Sequence, residues 1–162
     1  MPILIRKAVD ADIDSIMHIF SLARQFMRAT GNPHQWINGY PAQSFMLEEI
    51  ASGHCYVVDN GKRIIATFCF ISGPDPTYNI IEQGDWLSDS PYHVIHRLAS
   101  DGSTRGIASM CFEWCSQHIP HLRVDTHADN RVMHHLLQQN GFHRCGIIYV
   151  SNGTPRIAYE KL

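Results

Sequence analysis

The stretch HRLASDGSTRGIASMCFEWCSQHI, residues 96–119, changes character halfway. Its first residues continue the apolar run YHVIHRLAS, which reads as a strand. Its second half sets Ile107, Met110, Cys111 and Trp114 at helical spacing and is stopped by Pro120. Between them lies a short polar turn that closes on Arg105-Gly106. A helix that opens from such a turn leaves the N–H groups of its first turn without partners and carries about half a positive charge there. Small residues let an anion approach those groups, and a diphosphate beside Arg105 would suit the place. A strand, a turn with a glycine and a helix are also the plain architecture of α/β proteins. On this stretch alone both readings stay open.

Working outward, ILIRKAV near the N-terminus reads as a strand. Residues 10–31 then carry Ile13, Ile16, Met17, Phe20, Ala23 and Met27 at helical spacing, with Asp10 expected as N-cap and Gly31 as the stop. A second helix is expected in PAQSFMLEEIASG, with Pro41 in its first turn and Gly53 at its end. HCYVVD and IIATFCFI are rich in β-formers and flank Asn60-Gly61, a strong hairpin signal. The connector SGPDPTYNIIEQGDWLSDSP is too long for an idle loop and is expected to be functional or to hold a short element. LRVDTH reads as a strand, NRVMHHLLQQN as a helix ended by Gly141-Phe142, and HRCGIIYVS with PRIAYEKL as a strand pair around Asn152-Gly153. The order predicts a mixed α/β (α+β) chain: one domain over residues 1–162 with a central mixed sheet.

Composition narrows the class. A chain of 162 residues, 44% hydrophobic and 17% charged, suffices for one complete core. A net charge of -2 and no Lys/Arg run speak against a protein held by nucleic-acid phosphates or anionic lipid. Cys55, Cys69, Cys111, Cys115 and Cys145 lie in or beside apolar segments, which predicts buried thiols in a reducing compartment rather than a disulfide framework. The N-terminus has no signal-peptide pattern, and no apolar run approaches the roughly 20 residues a bilayer requires. The expectation is a cytoplasmic protein. His134, His135 and Gln138, or Cys111 with Cys115, lack the paired motifs of a metal site, so no metal is expected.

The series Ser103-Thr104-Arg105-Gly106-Ile107-Ala108, after a strand and opening a helix, resembles the acetyl-CoA-binding signature of the GCN5-related N-acetyltransferase (GNAT) family, [Gln/Arg]-x-x-Gly-x-[Gly/Ala]. The N-terminal strand and helices, the hairpin at Asn60-Gly61 and VDTHADNRVMHHLLQQNGF match the family in order. The resemblance covers essentially the whole chain. It departs at two places: Ser103 stands where the family has Gln or Arg, and Leu137 where it often has a general-acid Tyr.

The resemblance implies about six to seven strands, about four helices, and two splayed strands that hold acetyl-CoA. Leu98 and Ala99 would offer main-chain groups to the pantetheine, Ser103, Thr104, Arg105, Gly106, Ile107 and Ala108 would cradle the pyrophosphate, and Asn130 would meet the pantetheine arm or cap its helix. The implied reaction is N-acetylation of a primary amine of a small molecule, peptide or protein by direct attack on the thioester. Alternation along the strand puts Tyr92, Val94, His96 and Leu98 on one face. His96 is the favoured general base because imidazole changes charge near neutral pH, with Glu82 second and packing roles open for both. Trp36, Tyr40, Tyr78 and Trp86 are expected to wall the acceptor site, or else to pack their loops. Two other functions compete: a non-catalytic acyl-CoA-binding sensor or interaction module, and an enzyme acetylating aminoacyl-tRNA, which the lack of a basic face disfavours. No nucleic-acid or membrane partner is expected, and a homodimer stays open.

Overall fold

A computed structural model of the chain describes residues 2–162. In chain order it runs β1 (Leu4–Lys7), α1 (Ile13–Ala29), α2 (Gln43–Ala51), β2 (Cys55–Asp59), β3 (Ile64–Ser72), β4 (His93–Ser100), α3 (Ile107–His118), β5 (Leu122–Thr126), α4 (Arg131–Gln139), β6 (His143–Tyr149) and β7 (Pro155–Lys161). Single 3-10 turns occupy Asp10–Asp12 and Pro76–Tyr78. The strands follow the order β1-β2-β3-β4-β5-β7-β6 in one mixed sheet. β1–β2, β2–β3, β5–β7 and β6–β7 pair antiparallel, while β4 and β5 pair parallel at His93–Leu122 and Val94–Arg123. Among the described residues, no helix is long and apolar enough to cross a membrane. All five cysteines are free and buried.

The chain divides into two compact units. Residues 1–70 and 96–108 form the first. Here α1 buries Ile16, Ile19 and Phe20, one stripe of its amphipathic sequence, and α2 buries Met46 and Ile50. The start of α1 differs from expectation. Asp12, not Asp10, ties the turn: its carboxylate accepts Val9 N–H at 2.8 Å and the Arg6 guanidinium at 2.9 and 3.1 Å. Likewise α2 begins at Gln43 with Ala42 as its cap residue, so Pro41 lies before the helix rather than in its first turn. The Asn60-Gly61 hairpin forms as expected, with Asp59 accepting Gly61 N–H and Asn60 accepting the N–H groups of Lys62 and Arg63.

Residues 71–95 and 109–162 form the second unit, whose core includes Tyr78, Val94, Ile148 and Ala158. The long connector is structured. Beyond its 3-10 turn, Glu82 pairs with Ile147 of β6 through N–H···O bonds of 2.9 and 2.8 Å, covering part of that strand's outer edge. Two glycines make this approach feasible. A Cβ on Gly84, at φ +155°, would lie 1.8 Å from the Cys145 carbonyl oxygen, and one on Gly146 would lie 2.6 Å from the Glu82 carbonyl oxygen. Because the obstructing atoms are backbone, Gly84→Ala must push the connector off β6. The expected loss is about 2 to 3 kcal/mol of unfolding free energy, read from a urea titration. An unchanged midpoint would show that the connector does not rest on β6 this closely.

Candidate active site

In the first unit, the turn between β4 and α3 is built around Asp101. Its N–H donates to the Ile65 carbonyl at 2.9 Å, and its carboxylate accepts Ser103 N–H at 2.9 Å and the Ser103 hydroxyl at 2.6 Å. Arg63 adds two N–H donors at 3.2 Å each. Burial alone would raise the Asp101 pKa, but the bonds from Ser103 and Arg63 outweigh it and hold the carboxyl below its ordinary value. This corrects one expectation, because both donors of Ser103 are spent on Asp101 and serve the turn rather than an anion. Residues 102–106 are exposed, and Gly106, at φ +76°, turns the chain into α3 with open space where a Cβ would stand. Among the described residues, the backbone amides of Thr104, Arg105 and Gly106 meet no protein acceptor. Ile107 is buried and Ala108 half-buried at the helix opening.

β4 holds a feature the sequence reading missed. Arg97 adopts φ +56° inside the strand. A non-glycine residue in that region costs of order 1 to 3 kcal/mol and persists only where its surroundings enforce it. The enforcing contacts are present: Arg97 Nε donates to Tyr40 Oη at 2.8 Å, Nη1 lies 3.5 Å from Glu49 Oε2, and the guanidinium sits 4.5 Å from the Phe45 ring centroid. The side chain thereby ties the α1–α2 loop to β4. The left-handed residue also interrupts the strict alternation that placed His96 and Leu98 on one face. His96 and Leu98 are half-buried and Ala99 is buried. The signal available in the sequence was an arginine in the middle of an otherwise apolar strand.

The four aromatics expected to wall an acceptor site fall in two sets. Trp36 packs edge-on against Phe20 and Tyr40 in the first unit, with centroids 5.3 and 6.3 Å apart, and Tyr40 is exposed. Tyr78 and Trp86 lie together in the second unit, centroids 5.2 Å apart. Tyr78 needs correction as an acceptor contact. It is 2% exposed, and its hydroxyl donates to Asp125 at 2.6 Å, so the ring is core. Trp86 donates its indole N–H to the Tyr78 carbonyl at 2.9 Å and has the Arg123 guanidinium 4.0 Å from its ring centroid, so it fastens the connector.

Also in the second unit, Asn130 caps α4 by accepting Met133 N–H at 3.1 Å. Leu137 is fully buried, and its hydrocarbon side chain has no proton to give. Glu82 is exposed and accepts the Tyr149 hydroxyl at 3.0 Å. Among the described residues, no three His, Cys, Asp or Glu side chains gather around a common metal position.

No family model and no curated protein matches this sequence. Solved structures do match. An acetyltransferase of the GNAT family from Streptococcus agalactiae is 30% identical, with 99% of this chain and 95% of that one covered and a TM-score of 0.90. A GNAT-family acetyltransferase from Listeria monocytogenes, 16% identical over 98% of this chain and 94% of its own, has a TM-score of 0.72. Ard1 from Thermoplasma volcanium, 16% identical over 99% and 97%, reaches 0.65. The latter two share the fold. The first adds sequence identity over nearly the full length, and the chain belongs to the GNAT family of acetyltransferases.

Proposed function

We propose that residues 1–162 form one acetyl-CoA-dependent N-acetyltransferase domain that acts in the cytoplasm on a primary amine of a small molecule, peptide or protein. The observation that carries this reading is the exposed turn into α3, where the amides of Thr104, Arg105 and Gly106 meet no acceptor among the described residues. Oriented N–H groups at a helix opening, with a guanidinium beside them, are what a diphosphate needs. In this reading Thr104, Arg105, Gly106, Ile107 and Ala108 hold the pyrophosphate. Leu98 and Ala99 offer backbone groups to the pantetheine, and Asn130, which caps α4 through its side-chain oxygen, meets the pantetheine arm. Trp36 and Tyr40, ordered through Phe20 and Arg97, supply the acceptor wall.

Leu137 favours a second reading, a binder that holds the acyl-CoA without turnover, because the family's frequent acid is replaced by a buried apolar residue. An unassisted departure is chemically feasible, since a thiol with an ordinary pKa of about 8.5 leaves as a stable thiolate. Calorimetry with acetyl-CoA followed by thiol release with a panel of amines distinguishes the cases. The expected result is one-to-one binding, weakened about 10- to 100-fold in Arg105→Ala by loss of a charge-assisted contact, and amine-dependent thiol release. Heat without release would establish the binder; absence of heat would remove both readings.

A further inference from the structure

In the second unit, the acetyltransferase reading leaves unused a chain of three groups running from the interior to the surface. Glu160, on β7, is fully buried. Its Oε2 accepts His121 Nε2–H at 2.6 Å and Arg123 Nε–H at 2.8 Å, and its Oε1 accepts Leu87 N–H. Arg123 is itself fixed, with its guanidinium 4.0 Å from the ring centroids of both Trp86 and Tyr92 and Nη2 donating to the Ser88 carbonyl at 2.7 Å. A carboxylate only accepts hydrogen bonds, so the imidazole proton sits on Nε2. In the neutral ring the lone pair of Nδ1 then faces Ser90 Oγ at 2.8 Å. Ser90 is exposed. Ser88 Oγ, which accepts Ser90 N–H at 3.1 Å, lies 2.9 Å from Ser90 Oγ and has its own proton to give.

A buried acid, a histidine held in one tautomer and a surface hydroxyl bonded to its free nitrogen have the connectivity that activates a serine as a nucleophile. We propose that Ser90 is an acyl-acceptor site, acylated by carboxylic esters with good leaving groups through base assistance from His121. Ser90 Oγ bonds to the acyl carbon as its proton passes to His121 Nδ1. The bond from that carbon to the leaving oxygen breaks, and the phenolate or alkoxide released takes the proton from Nδ1. No oxidation or reduction occurs. Glu160 and Arg123 are positioning residues, acting through the imidazole alone.

The test uses the full chain and p-nitrophenyl acetate, without acetyl-CoA or amine, so that its failure leaves the acetyl-transfer reading intact. Peptide mass spectrometry and the time course of p-nitrophenolate release are followed together. Acetylation of Ser90 at least about tenfold faster than of any other serine, or release lost in Ser90→Ala, is expected. His121→Gln slows the step about 100-fold, the ordinary contribution of a general base. Ser90 is exposed, so Ser90→Ala folds even if His121→Gln does not. Acetylation of Ser90 at the rate of the other exposed serines, with release unchanged in Ser90→Ala, overturns the proposal and leaves Ser90 as a tie for the connector.

Discussion

Glu160→Ala is expected to lower the unfolding free energy by about 3 to 5 kcal/mol, the cost of stranding one partner of a buried ion pair. The geometry explains the size. Arg123 is 5% exposed, and without the carboxylate its charge is left facing the Ser88 carbonyl and two aromatic rings. His121 and the Leu87 N–H lose their acceptor in the same substitution. The comparison that isolates the charge is Glu160→Gln with Arg123→Met, which removes both ions and is expected to cost less than Glu160→Ala alone. Urea unfolding measures both. A loss below about 1 kcal/mol in Glu160→Ala would mean that the pair is not buried in solution.

The same network sets an acid limit on stability. Burial pushes the Glu160 pKa up, but hydrogen bonds from His121, Arg123 and Leu87 outweigh this and leave it below the ordinary carboxylate value. The unfolded chain therefore binds this proton more readily than the folded one. The stabilisation is fully present above the ordinary Glu pKa of about 4.3 and fades as the pH falls from there through the folded value. Unfolding free energy followed over that window should decline less steeply in Glu160→Gln, which has no proton to take up there.

What the sequence could reveal follows from the range of each interaction. Strands, helices and the Asn60-Gly61 turn depend on neighbours a few residues away, and their periodicity and turn chemistry place them. The mixed fold was legible for that reason. A small error arose at the start of α1: Asp10 was expected to cap the helix, but the carboxylate that ties this turn is that of Asp12, fixed by Arg6 from the preceding strand. The Glu160 network was not legible, since His121 and Arg123 lie 39 and 37 residues away in sequence, and PRIAYEKL looks like a strand with a wet face. In fact Arg156, Ile157, Ala158, Tyr159 and Glu160 are all buried. Tyr78 was misread for a related reason. An aromatic in a long connector gives no sign of whether it points out or in, and the deciding partner, Asp125, is 47 residues on. The turn around Arg105-Gly106 could be placed because a strand, a small-residue turn and a helix opening are local backbone features, whereas Arg97 required knowledge of Tyr40, Glu49 and Phe45.

On the proposed reaction, His96→Ala should reduce kcat by about 100- to 10,000-fold, the range for loss of a general base, while the acetyl-CoA Kd stays within about twofold. The acceptor nitrogen attacks only when its lone pair is free, so a proton must leave it before or during formation of the bond to the acetyl carbon. That carbon then releases sulfur, and the thiolate departs without help from position 137, whose leucine is buried. His96 is half-buried on β4, one residue before the left-handed Arg97. A role in packing that irregular strand would also lower activity when lost, so the pH profile must separate the two. A base gives kcat/KM an acidic limb that disappears in His96→Ala, and added imidazole restores part of the rate. A packing residue lowers the whole profile and leaves the limb in place. Glu82→Gln is run in parallel, because loss of the limb there, with His96→Ala retaining it, would transfer the role to Glu82. Turnover unchanged in His96→Ala excludes the histidine outright.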